Sequence, residues 1–193
     1  MNIWALRAAS PNNDDYIETV TFLSDSLKNG ISRFGWGYME EADLGLLSKK
    51  TVLEMTEEEN SYWRHTRFLL KINVGDWIVH VNLPRIGTCT AAKVIGKYEF
   101  EKHDNELSDY RHILKIDVAT LIEFDRNDTR VLPSIKDLMR IRGSHWKITK
   151  EADFLQTIKN LKPVDDKKKK NSWGLTDVKV LWRRLLLNLR KKK

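Results

Sequence analysis

The chain is poor in the residues that staple or punctuate a fold: one cysteine, four prolines and nine glycines in 193 residues. A single thiol, Cys89, excludes an internal disulfide and a cysteine-built zinc site. Set in the β-like run "GTCTAAKVIG", it reads as a small buried hydrophobe rather than a nucleophile. No run of about eighteen apolar residues occurs, and "MNIWALRAAS" has no basic segment ahead of an apolar one. A membrane span and export are therefore not expected, and the chain reads as cytoplasmic. The five histidines, His65, His80, His103, His112 and His145, form no HExxH, no HxH and no i, i+4 pair, so no metal is expected. GxxxxGK[ST], GxGxxG and GxSxG are all missing, which removes the phosphate cradle or nucleophile elbow that nucleotide, dinucleotide and serine-hydrolase chemistry needs. Carboxylates are plentiful but unpatterned. Asp76, after Gly75 at a strand start, reads as a turn residue bonding its own backbone. The chain is read as a non-enzyme with no catalytic residue and no cofactor.

What is present is enough apolar side chain, 41%, to bury a core, and a net charge of +7 that is unevenly spread. Residues 163–193 hold 11 Lys+Arg against 3 Asp+Glu and so carry +8; residues 1–162 net −1. A near-neutral body with a cationic tail weakens any reading in which the whole domain grips nucleic acid by charge. The composition breaks accordingly into a body over 1–162, a charged linker over 163–174 and a basic amphipathic helix over 175–193.

Within the body, "NIWALRAA" alternates as a strand ending near Ala8. "SPNNDD" opens a helix carrying Tyr16, Ile17, Val20, Leu23 and Leu27 at helical spacing until "KNG" stops it. "GISRFGWG" is a short strand entering a double-glycine turn. "SKKTVLEM" predicts a short helix, and "TEEENSYWRHTRFLLKI" a better one, with Thr56 and Glu59 at capping-box spacing. Residues 73–118 turn β-like through "VGDWIVHVNL", "RIGTCTAAKVIGKYEF" and "YRHILKIDVATLIEF". The polar "EKHDNELSD" between the last two is long enough for a lid. "PSIKDLMRIRG" predicts a helix ended by Gly143, and "EADFLQTIKNL" another with Phe154, Ile158 and Leu161 on one face. The class is α+β.

The stretch "RFGWG" puts the bulkiest side chain, Trp36, between Gly35 and Gly37. Either the ring plugs the core from a tight turn, or it is displayed in a pocket wall to stack on something flat. The order of "MNIWALRAA", a helix, "GISRFGWG", a helix leading into "INVGDWIVHV", then "GTCTAAKVIGKYEF" and "YRHILKIDV" resembles the PUA-like superfamily. It is most similar to EVE and YTH-like domains and the N-terminal domains of modification-dependent restriction proteins. The resemblance spans about residues 1–160. It implies a small curved β-barrel flanked by helices, with an aromatic cage that receives a flipped-out modified base; a base leaving a duplex loses a few kcal/mol of stacking and pairing, part of which a snug aromatic slot returns.

Carried over by that resemblance, Trp36 and Gly35 correspond to the cage wall, and Arg7 to a basic residue meeting a phosphate or base edge. Ala8 and Ser10 would line the mouth, with Asn12 and Asn13 offering amides. Tyr98 and Tyr110 would supply the opposing wall, and Arg111 and His112 phosphate contacts. The chain lacks the second tryptophan of the YTH pattern after its polar loop, which puts strict methyl-adenine specificity in doubt. Trp4 and Trp77 read as core, and Trp63 and Trp146 as packing. In the tail, Val178, Leu181, Trp182, Leu185 and Leu189 share a stripe, favouring a partner helix or a second copy over nucleic-acid backbone or an anionic membrane. The expected function is a reader of nucleic acid, DNA favoured over RNA. It would be the recognition module of a defence or restriction system whose effector, a nuclease or NTPase, is another chain. A scaffold acting through the tail, an RNA-binding PUA-like protein and a small nuclease are the competing expectations.

Overall fold

The computed structural model describes residues 1–7, 9, 15–102 and 109–162. The chain divides into a compact unit, Met1–Leu161, and a second, Lys162–Lys193. The expected linker and helix of residues 163–193, with the stripe Val178, Leu181, Trp182, Leu185 and Leu189, lie outside the described residues, as do Ala8, Ser10, Asn12 and Asn13.

The first unit is α+β, built on one curled sheet of six strands: β1 (Ile3–Leu6), β2 (Ile31–Phe34), β3 (Trp77–Val81), β4 (Thr88–Phe100), β5 (His112–Asp125) and β6 (His145–Lys147). The spatial order is β2-β5-β4-β3-β1-β6, antiparallel except for β1 beside β3. The helices are α1 (Tyr16–Lys28), α2 (Leu44–Leu47), α3 (Glu57–Thr66), α4 (Pro133–Leu138) and α5 (Glu151–Leu161), with a 3-10 turn at Glu40–Ala42 and a longer one, Arg67–Lys71, continuing α3.

The curl is legible in contacts between strands that are not neighbours. Ser32 on β2 and His80 on β3 stand three places apart in the order, yet their side chains share a hydrogen bond of 2.9 Å. Phe34 on β2 and His145 on β6 occupy the two edges of the sheet and still meet edge to face at 6.4 Å. Two irregularities in the β4/β5 ladder supply the bend: three extra residues on β5 between the pairs Ala91/Ile122 and Lys93/Asp117, and two on β4 between Val94/Ile116 and Tyr98/Leu114. Such bulges bend the bulged strand and increase local twist. The result is a half-barrel.

Alternation then assigns the side chains. Trp77, Val79 and Val81 of β3, with Ile3 and Ala5 of β1, face outward beneath α4 and α5, where they pack on Ile135, Met139, Phe154 and Ile158. Leu6, Ile78, Val94 and Leu114 face inward and meet α2, α3 and the 3-10 turn after it. Ala92 and Ile116 meet Val20, Leu23 and Leu27 of α1. Trp77 is buried as expected, and Trp4, Trp63 and Trp146 are partly buried against these clusters. Cys89 is buried, and that burial pushes its thiol up to about 12, so it has no thiolate to offer near neutrality. Asp76 fills the turn role and more, accepting from the Asn73 amide at 3.0 Å and, across to β1, from the Asn2 amide at 2.6 Å.

Some boundaries differ from the sequence expectation, each for a local reason. The helix predicted over 48–55 lies earlier, at α2, because Asp43 caps it by accepting from the Gly45 amide. Residues 51–54 instead form a turn in which Glu54 accepts from both the amide and the hydroxyl of Thr51, a side-chain bond that competes with helix. β1 stops at Leu6 rather than near Ala8, although the Arg7 amide still bonds the Ser144 carbonyl. α4 ends at Leu138, well before Gly143, because the chain must straighten into β6; the Arg7 guanidinium takes up the freed Ile141 carbonyl at 2.6 Å. The capping box of α3 forms as its spacing predicted, Thr56 and Glu59 satisfying each other's amides. Among the described residues, no helix is long and apolar enough to cross a membrane.

Candidate functional site

The answer to "RFGWG" is in the backbone. Trp36, not a glycine, adopts the left-handed conformation, with φ +73°. An L side chain held there costs about 1–3 kcal/mol. Two contacts hold it. The amides of Trp36 and Gly37 both donate to one carboxylate oxygen of Asp109, and the Gly37 amide also reaches the Asp109 carbonyl at 2.8 Å. On the other side, His112 Nε2 lies 3.2 Å from the Trp36 carbonyl. A carbonyl only accepts, so Nε2 carries the proton and Nδ1 accepts from the Tyr98 hydroxyl at 2.9 Å; that hydroxyl in turn accepts from the Leu44 amide at 3.1 Å. Each hydrogen bond to a charged group contributes about 1.5–3 kcal/mol, enough to offset the conformation.

The flanking glycines make room rather than supply flexibility. A Cβ on Gly35 would stand 2.7 Å from Asp109 Oδ2, and one on Gly37 would stand 2.9 Å from the Cβ of Arg111. The turn and the strand entering β5 can therefore press together. Both feet of the polar loop are clamped here; residues 103–108 themselves lie outside the described residues. Arg33, buried on β2, grips the Glu101 carboxylate with two nitrogens at 2.5 and 2.9 Å and the Tyr110 carbonyl at 3.0 Å. Arg111 donates to the carbonyls of Glu101 and Lys102 at 2.7 and 2.9 Å, its guanidinium lying over the Phe100 ring.

Electrostatics follow from burial. His112 and His80 are enclosed, and desolvation holds both imidazoles neutral, lowered to about 4. Burial pushes the Asp109 carboxyl above its usual range, more than the amides of Trp36 and Gly37 and the Tyr38 hydroxyl pull it down. Tyr98 and Tyr110 are raised, first by burial.

The indole itself is partly exposed and lies flat on His65 of α3, ring centroids 4.0 Å apart and planes 11° apart. One turn further along the same helix face, Phe68 lies flat under His145 of β6 at 3.7 Å and 5°. Phe34 meets Phe68 edge-on at 5.2 Å. α3 and its 3-10 extension thus bridge the gap between the two edge strands with a row of stacked rings. Arg64 and Arg67 stand exposed directly before the two stacking residues. Arg7 lies 5.9 Å over the Trp146 ring, which follows His145. Desolvation and then the neighbouring His65 lower His145.

The structure brings Gly35, Trp36, Tyr98, Arg111 and His112 together around one turn; Tyr110, expected as an opposing wall, instead buries its ring against α1, and Arg7, expected at a phosphate or base edge, binds the Ile141 carbonyl. It casts several of them differently from the expectation. Tyr98 and His112 hold the Trp36 carbonyl in place, and Arg111, 3% exposed, binds main-chain carbonyls where a phosphate contact was expected. The ring facing Trp36 is His65, a residue that sequence reasoning passed over. Its position three residues before Phe68 on a capped helix was a usable signal; the partnership of Phe68 with His145 spans the chain and left none. Among the described residues, no group of three or more His, Cys, Asp and Glu is placed to hold a metal ion. Comparison of the chain with known protein families, with curated proteins and with solved structures gives no match.

Proposed function

We propose that the body is a non-catalytic reader of nucleic acid that takes a base, flipped out and modified, against the indole of Trp36. The observation that carries this reading is a partly exposed tryptophan whose backbone is pinned from both sides in a conformation that tryptophan does not favour. Strain of this kind clusters at ligand clamps. Support comes from the neighbourhood: stacked rings with exposed Arg64 and Arg67 alongside combine stacking with a cationic edge, as proteins that track single strands do. The half-barrel with helices against it accords with the PUA-like, EVE or YTH-like fold that the order of motifs resembles. On that reading the chain is the recognition module of a defence or restriction system. A separate nuclease or NTPase acts as effector, and the segment 175–193 serves to recruit it or a second copy. DNA is favoured over RNA, and the reader needs no cofactor.

A titration of modified and unmodified oligonucleotides against wild type and Trp36→Ala tests it. Tighter binding of one modified strand, lost in the variant, is expected; equal weak binding to every strand, unchanged in the variant, refutes it.

A second reading, a scaffold, draws on a different surface. Tyr38, Met39, Leu46 and Leu53 are exposed in the segment between β2 and α3, Leu53 at 97%. Glu41, Glu58 and Glu59 line an open cleft of about 200 Å³ with Met39 and Tyr62. A protein partner would cover such a surface. Loss of complex formation on changing Leu46 and Leu53 to Ser, with Trp36→Ala silent, would favour it.

A further inference from the structure

We propose that His65 is a built-in occupant of the stacking face of Trp36, an intramolecular competitor that an incoming base displaces. The proposal rests on the reader reading above.

Two rings that hold a third between them stand roughly 7 to 8 Å apart, twice a van der Waals contact of about 3.5–4.0 Å. Trp36 and His65 are 4.0 Å apart and nearly parallel. That separation is full contact, so the covered face of the indole is already in use. Imidazole and nucleobase are both flat and polar at the edge, and they compete for the same kind of surface.

The helix that carries His65 cannot withdraw as a body at low cost. Its first turn is locked by the Thr56 and Glu59 capping box, and Glu59 is tied to Lys50 at 2.6 Å. Its far end is wedged by Phe68, which touches His145, Phe34 and Trp4. Nor can the indole turn away readily, since its backbone is fixed at amide and carbonyl and its ring packs against the inner core cluster as well as on His65. The mobile part is the His65 side chain, which is partly exposed and so has solvent to rotate into. Displacing one stacked ring by another makes affinity a difference between two stacks rather than the value of one. Such a site favours bases that stack better than imidazole and rejects small or poorly stacking groups.

The free protein gives the first readout. In NMR spectra the His65 ring protons should be shifted upfield by the indole, and Trp36→Leu should remove that shift. The second readout is binding of a short single-stranded DNA carrying one N6-methyladenine, alongside its unmodified counterpart. His65→Ala should bind about fivefold more tightly than wild type, the scale of one aromatic pair, and His65→Phe more weakly, while Trp36→Leu loses binding. If His65→Ala binds no better than wild type while Trp36→Leu still loses binding, the reader stands and the occupant is overturned. A loss in His65→Ala matching that in Trp36→Leu makes His65 a wall of the pocket and also overturns it. If neither wild type nor His65→Ala binds either DNA, with the upfield shift present, the competitor role is overturned and the reader reading loses N6-methyladenine as its base.

Discussion

Trp77 and Trp36 are the same side chain in opposite settings. Trp77 sits on a central strand with ladder partners on both sides, and its ring is buried edge-on to Phe154 at 5.6 Å and 70°. Trp36 sits in a turn, its backbone fixed by Asp109 and His112 and its partly exposed ring stacked on the His65 imidazole at the margin of the inner core cluster. In the first, the backbone is ordinary and the ring carries the energy. In the second, polar contacts hold the backbone and the ring stays partly exposed, stacked on a side chain that can be exchanged. That division separates a structural aromatic from one that can be lent to a ligand.

The sharpest way to break the comparison is to truncate each ring. Trp77→Ala should cost about 3–5 kcal/mol, read as a fall in the urea midpoint. Trp36→Ala should cost less, about 1–2 kcal/mol, because its ring is only partly buried at the margin of the inner cluster. Similar losses from both would mean that Trp36 is core.

Acid should act through the backbone supports. His80 and His112 are neutral in the fold, at about 4, and take up protons in the unfolded chain below their ordinary 6.5. Between these values the unfolded state binds more protons, so stability complete above pH 6.5 falls toward pH 4 and the loss levels off below. Each group contributes a slope of up to about 1.4 kcal/mol per pH unit. His112→Gln should flatten the profile, measured by urea titrations across that window.

Smaller effects sharpen the picture at the turn. Asp109→Ala leaves the Trp36 amide without its acceptor and should cost about 1–3 kcal/mol, with Asp109→Asn costing less. Gly37→Ala, whose Cβ would crowd Arg111, should cost about 1–3 kcal/mol through overpacking. Smallest in stability are Arg64→Ala and Arg67→Ala, expected to leave the melting temperature unchanged. If the reader reading holds, each should reduce the salt dependence of nucleic-acid binding by about one counterion.

Much of the fold could be read from local pattern. The capping box of α3, the β4 and β5 runs and the apolar face of α5 all follow from spacing a few residues wide. β6 could not be read: three residues, "HWK", carry no alternation, and they form a strand only because Trp4, Ala5 and Leu6 of β1 are there to pair with. The same limit applies at the site. The two glycines and the tryptophan marked the turn, but the partner below it, Asp109, lies 73 residues away, and the partner on the ring, His65, comes from a helix whose docking the sequence does not encode locally. Arg111 read as a phosphate contact because its acceptors are main-chain carbonyls of Glu101 and Lys102, just past the end of the neighbouring strand β4, which leave no mark in the sequence.

The two rims of the curled sheet have a consequence for the chain's life in a crowded solution. β2 offers four residues and β6 only three, and α3 with its stacked rings lies between them. A stray extended peptide arriving at either of these two rims finds only a short row of unpaired amides to zip onto. At those two rims the fold keeps a partly exposed indole beside strands too short to act as good templates for strand addition.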